Sequence, residues 1–240
     1  CFLVGWDDMG KDEDCHFCDD VTGQWFTVKA GFLEEDSTDK YVAPIKDYIE
    51  SVATAIRGKN QAKIEALVDI NSAVDMYILQ ELVKNADVGG SSFYMSKEAG
   101  GKLVFNPPWD FDKGFGNDTR GRSYKGLYVG EGTVASGDES SSNTNSWFMA
   151  LYSTDWFKNL VKTRWAELRA SAIDDPETAM LNDINYATTN YSNSLARNFK
   201  KWSSILTKTY GWNNGGYEEY YGDVGTGNGS TYAAQVASLK

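Results

Sequence analysis

The order of structural signals between residues 71 and 117 is the feature that most constrains the fold of this chain. A helical apolar pattern ends near Lys84, and strand-like runs follow at 92–96 and 102–106. Two glycines within residues 99–101 supply a turn between these runs, which predicts a β-hairpin. The segment is therefore expected to fold as a helix, a loop, a hairpin and a second loop.

Both loops of this segment carry aspartates. Asp87 lies just before the first strand, and Asp110 and Asp112 follow the second. Because the outer ends of a hairpin lie side by side, we expect Asp87 and Asp110 to converge at one edge. Phosphoryl transfer needs such a pair, since one carboxylate orients the acceptor hydroxyl and another holds Mg²⁺ against the nucleotide phosphates. Protein kinases show the same succession of a catalytic aspartate, a hairpin and a metal-binding aspartate.

The rest of the chain mixes short strands with longer helices, which predicts the α+β class. Residues 1–31 are expected to form two short strands joined by a solvated, acidic loop. An amphipathic helix is expected over 41–56, with Pro44 in its first turn and Gly58 as its stop signal. Helices are expected to dominate after residue 145.

Three further stretches show helical periodicity. They are residues 69 or 71 to 84, residues 147–168 and residues 179–202. The first of them carries one apolar stripe, made of Val74, Tyr77, Ile78 and Leu82. Glycine-rich stretches at about 130–145 and 211–230 predict flexible surface loops.

Composition excludes several classes of function. The chain has 240 residues and a net charge of −11, so we expect no nucleic-acid partner, because phosphate contacts need clustered Lys and Arg. No apolar run approaches the ~20 residues that span a bilayer, so no membrane span is expected. His16 is the only histidine, which excludes three-histidine zinc sites and the paired-histidine helix of metalloproteases.

The cysteines are few and odd in number. Cys15 and Cys18 have the C-x-x-C spacing of redox and zinc sites, but the chain has no second cysteine pair. We expect a local disulfide or free thiols, with metal binding as the alternative. The sequence begins at Cys1 without an initiator Met, so we expect it to be a piece of a longer protein.

Several short segments together resemble the spore coat protein H (CotH) family of atypical secreted kinases. They are Asn-Ala-Asp at 85–87, Ser-Ser-Phe-Tyr at 91–94, Gly-Lys-Leu at 101–103 and Trp-Asp-Phe-Asp at 109–112. The helical segments at 156–157 and 164–169 are also similar to the C-terminal helices of that family. The likeness runs from about Val21 to Lys240, and the Trp-Asp-Phe-Asp block is its most specific part.

The resemblance implies a role for each candidate site residue. Asp87 matches the catalytic aspartate of the family and Asp110 its magnesium-binding aspartate, with Asp112 as a second metal ligand. Ser92 stands five residues after Asp87, where the kinase catalytic loop has a metal-binding Asn. Lys113 lies beside the acids, where it could contact a nucleotide phosphate or pair with Asp112.

The resemblance also implies a fold and an activity. The fold would be a kinase-like, predominantly helical C-terminal lobe with short β-hairpins, and residues 1–240 would form one domain truncated at both ends. Its N-terminal nucleotide lobe would lie upstream of Cys1, since the sequence has neither a Gly-rich phosphate loop nor a Val-Ala-Ile-Lys-like strand.

The implied activity is Mg²⁺-dependent transfer of phosphoryl groups from ATP to Ser or Thr of secreted or surface proteins. ATP and Mg²⁺ are the implied cofactors, and the implied location is extracellular or at the cell surface. We expect this activity of the full-length protein, whereas the 240-residue chain by itself could be inactive.

Other functions are compatible with the same residues. A non-catalytic kinase-like module for adhesion or assembly, in an extracellular protein associated with polysaccharide, would use Trp and Tyr side chains in loops and would tolerate Ser92. A glycoside hydrolase also needs two carboxylates, but no motif supports one. A calcium loop that starts at Asp110 is rejected, because its sixth and twelfth positions hold Phe115 and Gly121 in place of Gly and Glu.

Overall fold

The computed structural model describes residues 1–30, 39–114, 126–132, 145–173, 176–202, 209–213 and 216–220. Within these ranges the chain is α+β, as predicted. The strands are β1 (Phe2–Trp6), β2 (His16–Cys18), β3 (Trp25–Ala30), β4 (Phe93–Lys97), β5 (Leu103–Val104), β6 (Thr209–Asn213) and β7 (Gly216–Tyr220). The α-helices are α1 (Asp39–Arg57), α2 (Gln61–Leu67), α3 (Ile70–Val83), α4 (Tyr128–Glu131), α5 (Ser146–Tyr152), α6 (Asp155–Leu168), α7 (Pro176–Asn190) and α8 (Ser192–Lys201).

A five-stranded antiparallel sheet is the larger of the two sheets in the described residues, with the strand order β2-β3-β1-β4-β5. The expected hairpin is confirmed as β4 and β5, and its register pairs Ser96 with Val104. The prediction of two strands in residues 1–31 is wrong, since there are three. The sequence did not predict the extra strand, β2, because it is only three residues long. Phe17 is its only buried residue, and one apolar position is too few to show the alternation of a strand.

One face of this sheet packs against the helices. Trp6 of β1 lies at the centre of the contact, with ring centroids 5.4 Å from Phe26 of β3 and 5.5 Å from Trp147 of α5. Its indole is only 1% exposed, so the aromatic residues bury large apolar areas where sheet and helices meet. Gly5 of the same strand faces the opposite side, where it lies across from Tyr94.

The helix predicted over 41–56 begins earlier than expected. It starts at Asp39, so Pro44 lies in its second turn and not in the first. Proline has no backbone N–H to donate, so this turn of the helix lacks one hydrogen bond. Gly58 follows the end of the helix at Arg57, as predicted.

The central helix α3 is buried on several sides. Asp69 caps its N-terminus by accepting a hydrogen bond from the Ser72 N–H. Of the predicted apolar stripe, Val74, Tyr77 and Ile78 are buried, but Leu82 is 46% exposed. The predicted stripe is therefore wrong at Leu82. Helix α3 is buried on several faces, so its buried residues do not form one stripe. Its additional buried residues are Ala73, Met76, Gln80 and Val83.

The C-terminal half is largely helical, as predicted. Helices α5 and α6 fall within 147–168, and α7 and α8 cover 179–202, each within a few residues. The prediction of an irregular loop over 211–230 is wrong in part, since β6 and β7 form an antiparallel hairpin there. The predicted loop at 130–145 and the rest of the last one fall mostly outside the described residues. None of the described helices is long and apolar enough to cross a membrane.

Candidate functional site

The segment that carries Asp87 begins where α3 ends. Lys84 adopts a left-handed conformation (φ 52°) and its N–H bonds back to the Gln80 and Glu81 carbonyls, which stops the helix. Residues 85–91, here named the Asp87 loop, follow directly, and residues 85–90 are all buried. A buried loop must satisfy its own backbone polar groups, so the partners of this loop show how Asp87 is positioned.

The Asn85 carbonyl accepts the Val88 N–H (3.4 Å), and the next five carbonyls of the Asp87 loop also accept hydrogen bonds. The bonds are Tyr128 Oη to Ala86 O (3.1 Å), Gly90 N and Ser91 N to Asp87 O (2.9 and 3.0 Å), Asn145 Nδ2 to Val88 O (3.0 Å), Trp6 Nε1 to Gly89 O (2.9 Å) and Asp8 N to Gly90 O (2.7 Å). The donors outside the loop come from β1 and the turn after it, from α4, and from the residue that caps α5. The loop is therefore held from several sides at once.

Asp87 is only 6% exposed as a residue, and its carboxylate is paired with a lysine. Lys113 Nζ lies 2.9 Å from Asp87 Oδ1 and 2.8 Å from Oδ2. The Asp87 N–H donates to Asn85 Oδ1 at 3.2 Å. A buried carboxylate needs an opposite charge close by, and Lys113 supplies it.

Residues 106–114, here named the Asp110 loop, run back along β4. Three contacts fix this course. They are Ser96 Oγ to Asn106 Oδ1 (2.5 Å), the edge-on rings of Tyr94 and Trp109 (centroids 6.2 Å apart) and Ser92 Oγ to Asp110 Oδ2 (3.4 Å). As the β4 residue number falls from 96 to 92, the loop number rises from 106 to 110, so the two segments are antiparallel.

The contact between Ser92 and Asp110 joins two unusual backbone positions. Ser92 has φ 58° and Asp110 has φ 55°, and only a few per cent of non-glycine residues have positive φ. Such conformations persist where the surroundings impose them, and they are frequent at functional sites. Here they turn a hydroxyl and a carboxylate toward each other.

Gly114 explains why Lys113 reaches Asp87. A Cβ at this position would lie 3.2 Å from Val83 O and 3.3 Å from Val83 Cβ, so only a glycine can approach the end of α3 so closely. The Gly114 N–H also bonds to Phe111 O at 2.9 Å. The end of the Asp110 loop is thus packed on the helix that leads into the Asp87 loop.

The structure brings the Asp87 and Asp110 loops together, as predicted from the hairpin. The Asp87–Lys113 ion pair joins them, and Ser92, which directly follows the Asp87 loop, bonds to Asp110. Asp110 and Asp112 are both exposed, whereas Lys113 is partly buried. The five predicted site residues therefore lie on these two loops and the start of β4.

The donor set at this edge fits Mg²⁺. Carboxylate and hydroxyl oxygens are available on Asp110, Asp112 and Ser92, and Mg²⁺ binds hard oxygen ligands. No cluster of three metal-ligating side chains occurs in the part of the chain that the structure describes. Magnesium at nucleotide sites is typically held by one or two carboxylates together with substrate phosphates, so this donor set agrees with that mode.

Sequence reasoning missed Glu81, which fixes the position of residues 128–130. Its carboxylate accepts the N–H groups of Tyr128 (2.8 Å), Val129 (2.8 Å) and Gly130 (3.2 Å), and Lys84 Nζ at 2.7 Å. A carboxylate with several backbone donors is strongly stabilised. Glu81 thereby holds the segment whose Tyr128 hydroxyl bonds to the Asp87 loop. No local pattern indicates this contact, because Glu81 and Tyr128 are 47 residues apart.

Asn145 was also missed, although half of its role has a sequence signal. Its Oδ1 accepts the N–H groups of Trp147 and Phe148, both at 3.1 Å, and so caps α5. Asn before a helical apolar pattern is typical of an N-cap. Its other bond, to Val88 O, depends on how α5 packs against the Asp87 loop.

The C-x-x-C segment lies away from these two loops. Cys1, Cys15 and Cys18 are free thiols, with Cys15 buried. Burial raises the pKa of the Cys15 thiol, and burial together with the Asp20 and Asp19 carboxylates raises that of Cys18. Of the predicted alternatives, the structure shows free thiols, and the raised pKa values make Cys15 and Cys18 weak nucleophiles near neutral pH because the thiolate is the reactive form.

Comparison with known proteins gives one result that covers nearly the whole chain. No curated protein and no solved structure matches it. The family model described as CotH kinase protein matches residues 19–239. This span contains both aspartate-bearing loops, the hairpin between them and the C-terminal helices. The likeness read from the sequence is thereby confirmed, and the chain belongs to the CotH kinase family.

Proposed function

We propose that this protein is a CotH-type kinase module that transfers the γ-phosphoryl group of Mg·ATP to Ser or Thr hydroxyls of secreted or surface proteins. The observation that supports it most is the pairing of a buried Asp87 with Lys113 next to the exposed Asp110 carboxylate. Family membership supports a kinase-like module.

Asp87 is proposed to act on the acceptor hydroxyl. Its carboxylate would accept a hydrogen bond from that hydroxyl and orient the oxygen toward the γ-phosphorus. As the new P–O bond forms, the bond to the bridging oxygen of the β-phosphate breaks, and the hydroxyl proton passes to Asp87. The many bonds to the Asp87 loop favour this role, since orientation is most of what a kinase supplies.

Asp110 is proposed as the metal-binding carboxylate, with Ser92 and Asp112 as further oxygen ligands. Mg²⁺, when bound, neutralises charge on the β- and γ-phosphates. Asp110 is exposed and its Oδ2 is already oriented by Ser92 Oγ, so the carboxylate is accessible to an incoming metal–nucleotide complex.

Lys113 is proposed to serve both the acid and the phosphate. In the structure its ammonium contacts both oxygens of Asp87. A γ-phosphate placed between Asp87 and Asp110 would lie close to the same ammonium, which would reduce repulsion between phosphate and carboxylate. An extracellular or cell-surface location is part of this proposal.

A non-catalytic role in adhesion or assembly is the second candidate. Exposed aromatic rings favour it, since Trp109, Tyr186, Tyr191 and Trp202 are each more than half exposed. Such rings can stack on sugars or on partner proteins. This function predicts that Asp87 can be replaced without loss of binding to oligosaccharide or partner.

Phosphoryl transfer from radiolabelled ATP, together with calorimetric titration of Mg·ATP, tests the proposal. Asp87→Asn is expected to abolish transfer and to keep binding, whereas Asp110→Asn is expected to weaken binding at least tenfold. Asp47→Asn is the matched control, because Asp47 is an exposed aspartate of α1. Full-length wild-type protein that neither binds Mg·ATP nor labels any polypeptide would contradict the proposal and favour the non-catalytic module.

A further inference from the structure

We propose that helix α8, together with Tyr191 before it and Trp202 after it, binds the surface of an anionic lipid bilayer. The helix would lie along the interface, with its apolar side against the acyl chains and its basic side toward the headgroups. This inference does not depend on the kinase function, and it gives a role to a segment that phosphoryl transfer leaves unused.

Helix α8 has no buried residue. Leu195 and Phe199 are half-buried, and every other residue from Tyr191 to Trp202 is exposed. Tyr191 and Trp202 are 53% and 51% exposed. Surface helices of globular proteins usually bury an apolar stripe against the core, whereas the two aromatic rings at the ends of α8 remain accessible to a partner.

Helix α8 prolongs α7 and does not fold back on it. The Tyr191 N–H donates to Ala187 O and the Leu195 N–H to Tyr191 O, both at 2.9 Å. These are the bonds to the fourth preceding residue that define an α-helix, so helical hydrogen bonding crosses the junction. Helix α7 therefore does not cover the apolar side of α8.

The apolar and the basic residues lie on different sides of this helix. The apolar residues recur every three or four positions and therefore share one side: Tyr191, Leu195, Phe199 and Trp202. The basic residues fall on the remaining, polar side: Arg197, Lys200 and Lys201. Helices with aromatic and aliphatic residues on one side and Lys or Arg on the other are typical of segments that lie in a membrane interface.

The charge of this segment is opposite to that of the whole chain. Residues 184–217 contain four basic residues and no acidic one, although the chain has a net charge of −11. An anionic surface attracts basic segments and repels acidic ones. The charge distribution would therefore orient the protein with α8 toward the bilayer and the acidic remainder away from it.

The arrangement fits a bilayer better than two other partners of a basic helix. A second copy of the chain would pair the apolar sides and bring two basic helices together, where their charges repel. An acidic polysaccharide would need aromatic rings and cations on the same side of the helix. At a bilayer both sides are used, because Trp and Tyr favour the interface and long basic side chains extend to the headgroups.

Trp202 and Lys201 illustrate this use of both sides. Lys201 Nζ lies 5.0 Å from the centroid of the Trp202 ring, so a cation stands next to the apolar side at the end of the helix. Since the lysine stem is apolar and only its ammonium needs water or a headgroup, this pair suits the boundary between acyl chains and headgroups.

Sedimentation with lipid vesicles tests this inference. We expect the full chain to bind vesicles of phosphatidylcholine mixed with phosphatidylglycerol, and to bind pure phosphatidylcholine about 100-fold more weakly. Replacing Arg197, Lys200 and Lys201 together by Gln should lower the affinity for the mixed vesicles by a similar factor, because each basic residue near an anionic surface contributes about fivefold. Trp202→Ala should lower it about tenfold through lost apolar burial.

Two controls separate α8 from general effects of charge and aromatic exposure. Replacing Lys11, Lys59 and Lys63 together by Gln changes the net charge equally, at three exposed lysines outside α8. Trp109→Ala removes a similarly exposed indole, since Trp109 is 58% exposed. Both control proteins should bind the mixed vesicles within about twofold of wild type, because charges away from the contact are screened by salt.

Three outcomes would overturn the inference. One is wild-type protein that does not bind the mixed vesicles, or equal losses in the two triple variants, since binding would then follow net charge. Another is loss in the α8 triple variant but not in Trp202→Ala, with displacement of the vesicles by polygalacturonate, which would assign the helix to acidic polysaccharide. The third is a lipid-free dimer that Trp202→Ala dissociates, which would assign the apolar side to a second copy. None of these measurements involves ATP, so the kinase function is tested separately.

Discussion

Lys113 Nζ contacts both carboxylate oxygens of Asp87, at 2.9 and 2.8 Å, although the two residues are 26 positions apart. The side chains of Lys113 and Asp87 are 17% and 9% exposed, so the pair is shielded from most of the solvent. Because the lysine comes from the Asp110 loop, this one contact couples the position of the proposed catalytic acid to the loop of the proposed metal ligand.

Removing the ammonium should destabilise the protein. Lys113→Met leaves the Asp87 charge buried without this partner, and breaking such pairs costs about 3 kcal/mol. We expect the midpoint of urea unfolding to fall, and Asp87→Asn in the same protein to recover part of the loss, because no charge then remains to be compensated. Lys63→Met, at an exposed lysine of α2, is the control. An unchanged midpoint in Lys113→Met would contradict the importance of the pair.

The Tyr128 hydroxyl should matter for turnover more than for stability. Tyr128→Phe removes the hydroxyl that donates to Ala86 O (3.1 Å), and losing such a bond costs about 1 kcal/mol. We expect kcat to fall severalfold while Mg·ATP affinity stays unchanged, because the hydroxyl supports the Asp87 loop and not the metal loop. Tyr48→Phe removes a similar bond, to Leu67 O at 2.7 Å, away from the site. Equal effects of the two variants on kcat would show that Tyr128 is merely structural.

Glu81 should control the order of the segment that carries Tyr128. Glu81→Gln keeps the shape of the side chain but replaces one acceptor oxygen with an amide NH₂ group, which can only donate, so some of the N–H groups of residues 128–130 lose their acceptor. We expect faster hydrogen exchange at these amides and a loss of about 2 kcal/mol. Glu65→Gln, at a half-buried glutamate that accepts a hydrogen bond from Gln61 within α2, should leave exchange there unchanged. Unaltered exchange in Glu81→Gln would refute this role.

Gly114 should tolerate no side chain. A Cβ there would lie 3.1 Å from Phe111 O and 3.2 Å from Val83 O, and backbone atoms on both sides leave little room to relax. We expect Gly114→Ala to cost about 1 to 2 kcal/mol and to reduce phosphoryl transfer by displacing Lys113. Gly101→Ala, whose Cβ would first meet Glu98 O at 3.4 Å, should be nearly neutral. A Gly114→Ala protein as stable and active as wild type would contradict the close packing.

The thiols should differ in their rates of alkylation. Burial raises the pKa of Cys15 above its ordinary value, so at pH 7 its thiolate fraction is lower than that of an ordinary cysteine and grows only as the pH rises. Cys1 is exposed, so we expect it to react with iodoacetamide first and Cys15 to react fully only after denaturation. Mass spectrometry of timed samples measures the order, and early modification of Cys15 would contradict its burial.

Local signals were sufficient to predict much of the fold. The hairpin at β4 and β5 and the end of α3 near Lys84 follow from turn residues and apolar spacing. The convergence of the two aspartate-bearing loops follows from the hairpin as well, because its outer ends are neighbours in any register. Local signals failed where length or packing decided the outcome, as at the three-residue β2 and at the exposed Leu82.

The sequence by itself determined the residue types of the candidate site, their order along the chain, and membership of the CotH kinase family. Tertiary structure alone decided which partners those residues have. Lys113 pairs with Asp87, Glu81 holds Tyr128, and Trp6 bonds to Gly89 across 83 residues. The physical reason is that periodicity and turn chemistry act over a few neighbouring residues, whereas the partner of a buried polar group is set by which distant segments pack around it.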